Sequence, residues 1–177
     1  MDPILLYVAA ASVSGILLLG ALEKLRNLAH FEGAVAAYAL LPSKAVPAFA
    51  LMFPAAEITA GVLLLLPAGR NAGAALGAAL LIAATAGVAI NLLRGRRDID
   101  CGCGGFSDQG AGLSWWLVAR NGFLVTMALS LFLGQADVSR VLGWVDGLTF
   151  FGATLAVLGL YFSFNQLIDS HNRFQKT

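Results

Sequence analysis

The sequence predicts an all-α integral membrane protein, a bundle of four to five transmembrane helices with a short interfacial helix. Composition is the first reason: 59% of the 177 residues are hydrophobic and 12% are charged, whereas soluble domains have about 45–50% and about 25%. Mean hydropathy is +0.81. Five long apolar runs are the second reason, because each could cross about 30 Å of hydrocarbon as a helix. Backbone in lipid must pair internally, and these runs lack the alternation of barrel strands.

The predicted spans follow one another in a single domain that covers residues 1–177. They are 3–22, 46–67, 71–93, 114–134 and 147–167. The first is longer than the apolar core of a signal peptide, so we interpret it as a retained anchor. The piece 31–41 is too short to span, and we expect it to lie at the interface or to fold back as a short helix. Gly73 and Gly77 form a small-xxx-small face in the third span, which favours packing inside the bundle over dimerisation.

The basic residues predict the orientation. With the N-terminus outside and five crossings, one side holds eight lysines and arginines and the other holds two. The eight are Lys24, Arg26, Lys44, Arg94, Arg96, Arg97, Arg173 and Lys176, and the two are Arg70 and Arg140. The positive-inside rule then predicts a multi-pass membrane protein with the N-terminus outside and a cytoplasmic C-terminus. It also places the segment 94–113 in the cytoplasm, provided that an odd number of crossings precedes it.

That segment carries the only two cysteines of the chain, Cys101 and Cys103, separated by one glycine. The neighbouring arginines Arg94, Arg96 and Arg97 favour the reactive thiolate, whereas the two nearby aspartates oppose it. A disulfide across one intervening residue is tight, and strained disulfides are easily reduced. The pattern therefore favours redox exchange over a structural disulfide.

Two alternatives stay open for the cysteine pair. Thiolates suit copper(I) and similar soft ions, so Cys101 and Cys103 could belong to a soft-metal carrier. A structural zinc site is not expected, because it needs four ligands and the two histidines are remote in sequence. The protein could also be a non-catalytic scaffold with idle thiols. Nothing in the sequence predicts nucleic-acid binding, since basic residues do not form a patch interleaved with aromatics.

Several pieces of the sequence together resemble one known family. They are Glu23-Lys24-Leu25-Arg26, Tyr38 with Leu40-Leu41-Pro42, Glu57 and Gly61 before Leu63-Leu64-Leu65-Leu66-Pro67, Arg94-Gly95-Arg96, Asp100-Cys101-Gly102-Cys103-Gly104 and Arg120-Asn121. The combination resembles the methylamine utilisation protein MauE family, itself similar to DoxX-like membrane proteins, over about residues 10–130. This chain departs from the usual pattern at Gly104-Gly105-Phe106, where family members more often have one glycine before the aromatic residue.

The resemblance implies a function. Proteins of this family are associated with maturation of the disulfide-rich small subunit of methylamine dehydrogenase, together with a thioredoxin-like periplasmic protein of the MauD type. By resemblance, Cys101 and Cys103 would be the redox pair of a bacterial inner-membrane protein. No cofactor is predicted with certainty, and the electron partner could be a thioredoxin-like protein or a quinone. One conflict follows, because disulfides form outside the cytoplasm while the charge bias places this pair inside.

Polar residues within the spans form a second group of candidates. A carboxyl at Glu57, in the middle of its span, is costly and should face the bundle interior. It could be protonated or paired with Arg120, Lys24 or Arg26, and it could couple protons to thiol exchange or act as a polar clamp between helices. Glu23, Lys24 and Arg26 lie at a helix end, where snorkelling explains them. Arg120 needs a partner or water, and Asn121 can bond across helices.

Overall fold

The computed structural model describes residues 3–99, 112–133 and 143–174, and it confirms the all-α membrane bundle. In the described ranges, five helices are long and apolar enough to cross a bilayer, and a sixth is not. The helices are α1 Pro3–Arg26, α2 Leu28–Tyr38, α3 Val46–Leu65, α4 Arg70–Leu93, α5 Trp115–Leu133 and α6 Trp144–Phe174, with a 3-10 turn at Ser43–Ala45 before α3. The chain is thus a multi-pass membrane protein.

The short helix α2 follows α1 almost directly and folds back onto α3. It has 11 residues, which is too short to span, and it begins three residues earlier than the piece 31–41 predicted from hydropathy. It ends at Ala39, whose φ of 51° turns the chain in the left-handed region. Phe31 packs against Phe53 of α3 with ring centroids 6.3 Å apart. Three membrane-length helices therefore precede the cysteine segment.

Helices α1 and α3 pack closely and run antiparallel. The Ser14 hydroxyl donates a hydrogen bond of 2.8 Å to the Gly61 carbonyl oxygen. A methyl group added at Gly61 would lie 2.8 Å from the Cγ atom of Leu18, closer than real side chains come. The absence of a side chain at Gly61 thus lets the two backbones approach, which fixes the register of α1 against α3.

The small-xxx-small face of α4 packs inside the bundle, as predicted. A Cβ atom at Gly73 would lie 2.7 Å from the backbone nitrogen of Leu64 in α3, and one at Gly77 would lie 3.2 Å from Cδ1 of Leu17 in α1. Both glycines are buried. The close approach of α4 to α3 depends on Gly73, because its nearest neighbours include backbone that cannot rotate away.

Two apolar clusters hold the helices together. The larger one joins α1, α3, α4 and α5 through buried residues that include Leu6, Leu17, Leu64, Leu81 and Leu131. The smaller one contains Val88, Leu92, Leu113 and Leu117, with Ile99 packed against it. This second cluster lies where α4 ends and α5 begins, at the end of the bundle to which the cysteine segment is joined.

Helix α1 is shorter than α3 at this end of the bundle. Lys24 lies two residues before the end of α1, whereas Glu57, its partner in α3, lies eleven residues after Val46. At a rise of about 1.5 Å per residue, α3 continues roughly 13 Å beyond the last turn of α1. Helix α2 lies at the level beyond the end of α1. Lys24 is buried in the last turn of α1, whereas Leu25 and Arg26 are exposed.

Candidate functional site: a polar layer beside an intramembrane cavity

A buried ion pair joins α1 to α3. The Lys24 ammonium lies 2.7 Å from one carboxylate oxygen of Glu57 and 2.8 Å from the other. Both residues are only 7% exposed. Of the three partners considered for Glu57, the structure selects Lys24. Lys24 does not snorkel. Its ammonium is buried and binds Glu57 inside the bundle, instead of reaching toward the membrane interface.

Two aromatic rings complete the surroundings of the Lys24 ammonium. Its nitrogen lies 5.7 Å from the ring centroid of Phe31 in α2 and 5.6 Å from that of Phe53 in α3. A cation within about 6 Å of an aromatic centroid is attracted by the negative face of the ring. Lysine hydrogen bonds and ring contacts therefore tie α1, α2 and α3 together at one point.

A second polar cluster surrounds Arg120 in α5. Its guanidinium donates from Nη2 to the Asn121 side-chain oxygen at 3.0 Å and from Nε to the same oxygen at 3.3 Å. Nη1 donates to the side-chain oxygen of Asn165 in α6. The guanidinium carbon lies 5.3 Å from the ring centroid of Tyr161, also in α6. Arg120 thereby links α5 to α6 within the apolar bundle.

Both polar clusters border one cavity of about 280 Å³. Its charged lining consists of Lys24, Glu57 and Arg120, and Asn121 and Tyr161 lie beside them. The remaining walls are apolar and aromatic side chains from α1 to α5. Four of the residues predicted from sequence to be polar within the membrane thus meet at one cavity. Glu23 does not line it; its carboxylate instead accepts a 3.4 Å hydrogen bond from the Asn27 side chain.

Sequence reasoning missed part of this site. Asn165 is not among the predicted site residues, although an amide in an apolar helix is a signal for an interhelical hydrogen bond. The rings of Phe31, Phe53 and Tyr161 carry no sequence signal, because aromatic residues are frequent in all spans. Among the described residues, no group of three or more histidine, cysteine, aspartate or glutamate side chains is placed to hold a metal ion.

Cys101 and Cys103 lie outside the described residues, but the chain on both sides of them is described. The Leu113 amide donates a 2.8 Å hydrogen bond to the Arg97 carbonyl oxygen, which joins the two ends of the segment. Ile99 packs on the small apolar cluster at the ends of α4 and α5. The base of the cysteine segment is therefore closed and attached to the bundle.

The three arginines that precede the cysteines are all exposed. Arg96 donates a 3.4 Å hydrogen bond from Nη1 to the side-chain oxygen of the buried Asn91 in α4. Arg94 follows the last residue of α4, and Arg97 contributes the backbone carbonyl that binds Leu113. The structure thus places Arg94, Arg96 and Arg97 at the helix end from which the cysteine segment departs.

Fold and site together define a class: a small multi-pass membrane protein with charged residues at an intramembrane cavity and a cysteine segment closed at one end of the bundle. Comparison with known proteins specifies it further. The model of the family "Methylamine utilisation protein MauE" matches residues 2–134, and the chain belongs to this family. The match covers α1 to α5, whereas α6 lies beyond it.

Individual relatives agree with the family. The chain is 34% identical to a methylamine utilization protein MauE of Paracoccus versutus over 168 residues, 94% of this chain and 88% of the relative. It is 35% identical to that of Paracoccus denitrificans over 136 residues, 76% of this chain and 72% of the relative. The identity to that of Methylophilus methylotrophus is 39% over 102 residues, 58% of this chain and 54% of the relative. No solved structure matches the chain significantly.

Proposed function

We propose that this protein is a membrane thiol–disulfide exchange component in methylamine utilisation, which assists maturation of the small subunit of methylamine dehydrogenase. The carrying observation is the pair Cys101 and Cys103, the only thiols of the chain, in a segment whose ends are joined by the Arg97–Leu113 hydrogen bond. The names of the relatives support the pathway. The thioredoxin-like partner of the MauD type is part of the same proposal.

The proposed reaction is an exchange through a mixed disulfide. In the oxidising direction, a client thiolate attacks one sulfur of the Cys101–Cys103 disulfide, and the other cysteine leaves as a thiolate. A second client thiolate then attacks the mixed disulfide, so the client gains a disulfide and the pair is reduced to two thiols. The thioredoxin-like partner restores the pair by the same exchange. Arg94, Arg96 and Arg97 stabilise the leaving thiolate in this proposal.

The location of the pair is a further part of the proposal. Three membrane-length helices precede the cysteine segment, which satisfies the odd number of crossings that the charge argument requires. The excess of basic residues on the side of this segment favours a cytoplasmic position, with the N-terminus outside a bacterial inner membrane. In that orientation, the direct exchange partner of the pair is a thiol protein on the cytoplasmic side. A direct mixed disulfide with a periplasmic client requires the opposite orientation.

Glu57 has two roles open to it. Proton coupling to thiol exchange stays a prediction. The geometry supports the clamp, because both carboxylate oxygens accept hydrogen bonds from one ammonium and the pair holds α1 against α3.

Single and double cysteine variants test the exchange. In cells that contain the client and the thioredoxin-like protein, Cys103→Ser and Cys101→Ser are compared with the double variant. If exchange occurs, at least one single variant accumulates an adduct on non-reducing gels, because the remaining cysteine cannot be released by its neighbour. A reductant should dissolve the adduct, and the double variant should form none and yield little mature methylamine dehydrogenase.

Two results would overturn the proposal. Full maturation with the double variant would leave only a scaffold role. Stoichiometric binding of copper(I) that depends on both thiols, without any adduct, would favour the soft-metal carrier. Labelling of Cys101 and Cys103 with a membrane-impermeant maleimide, in intact cells and in inverted vesicles, tests the orientation separately: reaction from the outside of intact cells would refute the cytoplasmic position.

A further inference from the structure

We infer that the cavity beside the polar layer binds the ring of a lipid-soluble quinone. The site is argued from its own geometry, and only the role of the quinone as electron acceptor rests on the proposed function. A volume of about 280 Å³ is close to the lower end of ligand sites, which begin at about 300 Å³. It suits a single substituted ring better than a large molecule.

The inner end of the cavity favours a ligand with acceptor oxygens. Lys24 and Arg120 contribute two positive charges there and Glu57 one negative charge, and each of these residues is 7% exposed. The charged side chains among the described lining residues thus sum to one positive charge. A carbonyl oxygen, and still more the oxygen of a reduced quinone, would be stabilised by hydrogen bonds from such cationic groups.

The walls favour a flat ring over a flexible chain. Aromatic side chains line the cavity from three helices, among them Phe31, Phe53 and Tyr161, and aromatic rings pack well in offset or edge-to-face arrangements. Space for the ligand comes from small residues such as Ala83 and Ala84 of α4, which line the same cavity. A fatty acid would also satisfy the charge, but it would not use these rings.

One side of the cavity is partly exposed. Leu40, Leu41 and Phe49 line it and are 40%, 36% and 36% exposed. Leu40 and Leu41 lie in the connection between α2 and α3, and Phe49 lies in the first turn of α3. The cavity therefore has a polar inner end and an apolar opening, which matches a quinone whose ring enters first and whose isoprenoid tail remains in the bilayer.

The chemistry balances with the proposed function. When Cys101 and Cys103 close a disulfide, they release two electrons and two protons. A quinone takes up two electrons and two protons to become a quinol. In this inference the quinone takes the place of the thioredoxin-like protein as the oxidant that restores the Cys101–Cys103 disulfide, and the quinol returns to the membrane pool.

Binding of decylubiquinone to the full-length protein in lipid nanodiscs tests the inference. Both cysteines are replaced by serine in every sample, so that binding is measured apart from thiol chemistry. We expect saturable binding of one molecule per chain. Ala84→Phe fills the cavity without changing its charge and should weaken binding at least roughly 10-fold, since a filled pocket loses most ligand contacts. Ala86→Phe is the matched control, because Ala86 is exposed on the same helix and does not line the cavity.

Arg120→Gln tests the polar end. It should weaken binding by roughly 10- to 100-fold, the range for a lost hydrogen bond to a charged group. Arg120→Lys, which keeps the charge, should lose less. Since Arg120 also links α5 to α6, thermal melting of each variant is measured in parallel, and Ala84→Phe keeps the test decisive if Arg120→Gln does not fold.

Three outcomes would overturn the inference: no saturable binding to the parent protein, equal binding after Ala84→Phe, or displacement of the quinone by oleate at lower concentration. The outcomes separate the two proposals. Quinone binding without any thiol adduct in cells would refute the proposed thiol exchange but support the quinone site. A thiol adduct in cells without quinone binding in nanodiscs would refute the quinone site but support the proposed thiol exchange.

Discussion

Glu57→Gln is expected to destabilise the bundle, because it leaves the Lys24 ammonium buried without a countercharge. Each of the two hydrogen bonds between these residues, at 2.7 and 2.8 Å, is of the charge-assisted kind that contributes about 1.5–3 kcal/mol. Breaking a buried pair by removing one partner costs about 3–5 kcal/mol. Glutamine keeps one acceptor oxygen, so we expect a loss of about 3 kcal/mol in the free energy of unfolding.

The measurement is reversible unfolding of the purified protein in mixed micelles, followed by circular dichroism. Glu23→Gln is the matched control, because it makes the same chemical change at the residue that precedes Lys24 in α1. The Glu23 carboxylate is partly exposed and accepts one long hydrogen bond of 3.4 Å. It should change stability by less than about 0.5 kcal/mol. The double variant Lys24→Met with Glu57→Leu should recover at least half of the loss, since both charges leave together. Equal stability of Glu57→Gln and Glu23→Gln would refute the reasoning.

Two further predictions concern packing between helices. Asn165→Leu removes the acceptor that α6 offers to Arg120 and should cost about 1.5–3 kcal/mol. Gln166→Leu, on the exposed face of α6, should cost less than about 0.5 kcal/mol, and equal melting curves for the two variants would contradict the link between α5 and α6. Gly73→Ala places a methyl group 2.7 Å from α3 backbone and should cost about 1–3 kcal/mol. Gly159→Ala, with open space around it, should be neutral or stabilising by up to about 1 kcal/mol. A Gly73→Ala protein that melts like the Gly159→Ala protein would show that α4 does not need this close approach.

The bundle could be predicted from sequence because length and hydropathy alone select membrane helices. The need of Glu57 for an interior partner could be predicted for the same reason, since an isolated carboxylate in hydrocarbon is costly. Its choice of Lys24 could not. That choice depends on the register of α1 against α3, which is set by the contact of Ser14 with Gly61, and no periodicity encodes such a register.

The interpretation of Lys24 as a snorkelling residue was wrong for a related reason. A lysine near a helix end normally reaches the interface, but α2 folds back and occupies that level. The short piece was expected from hydropathy, whereas its contact with α3 through Phe31 and Phe53 was not. The cavity could not be predicted either, because it forms from gaps left by small residues on several helices.

Helix α6 lies beyond residues 2–134, the part matched by the family model, yet it supplies Asn165 and Tyr161 to Arg120. A chain cut after α5 would keep the cysteines, the lysine–glutamate pair and the small apolar cluster. It would lose the Asn165 acceptor and the Tyr161 ring beside Arg120. We therefore expect the shortened chain to be less stable than the full chain, although it contains the whole stretch by which the family is identified.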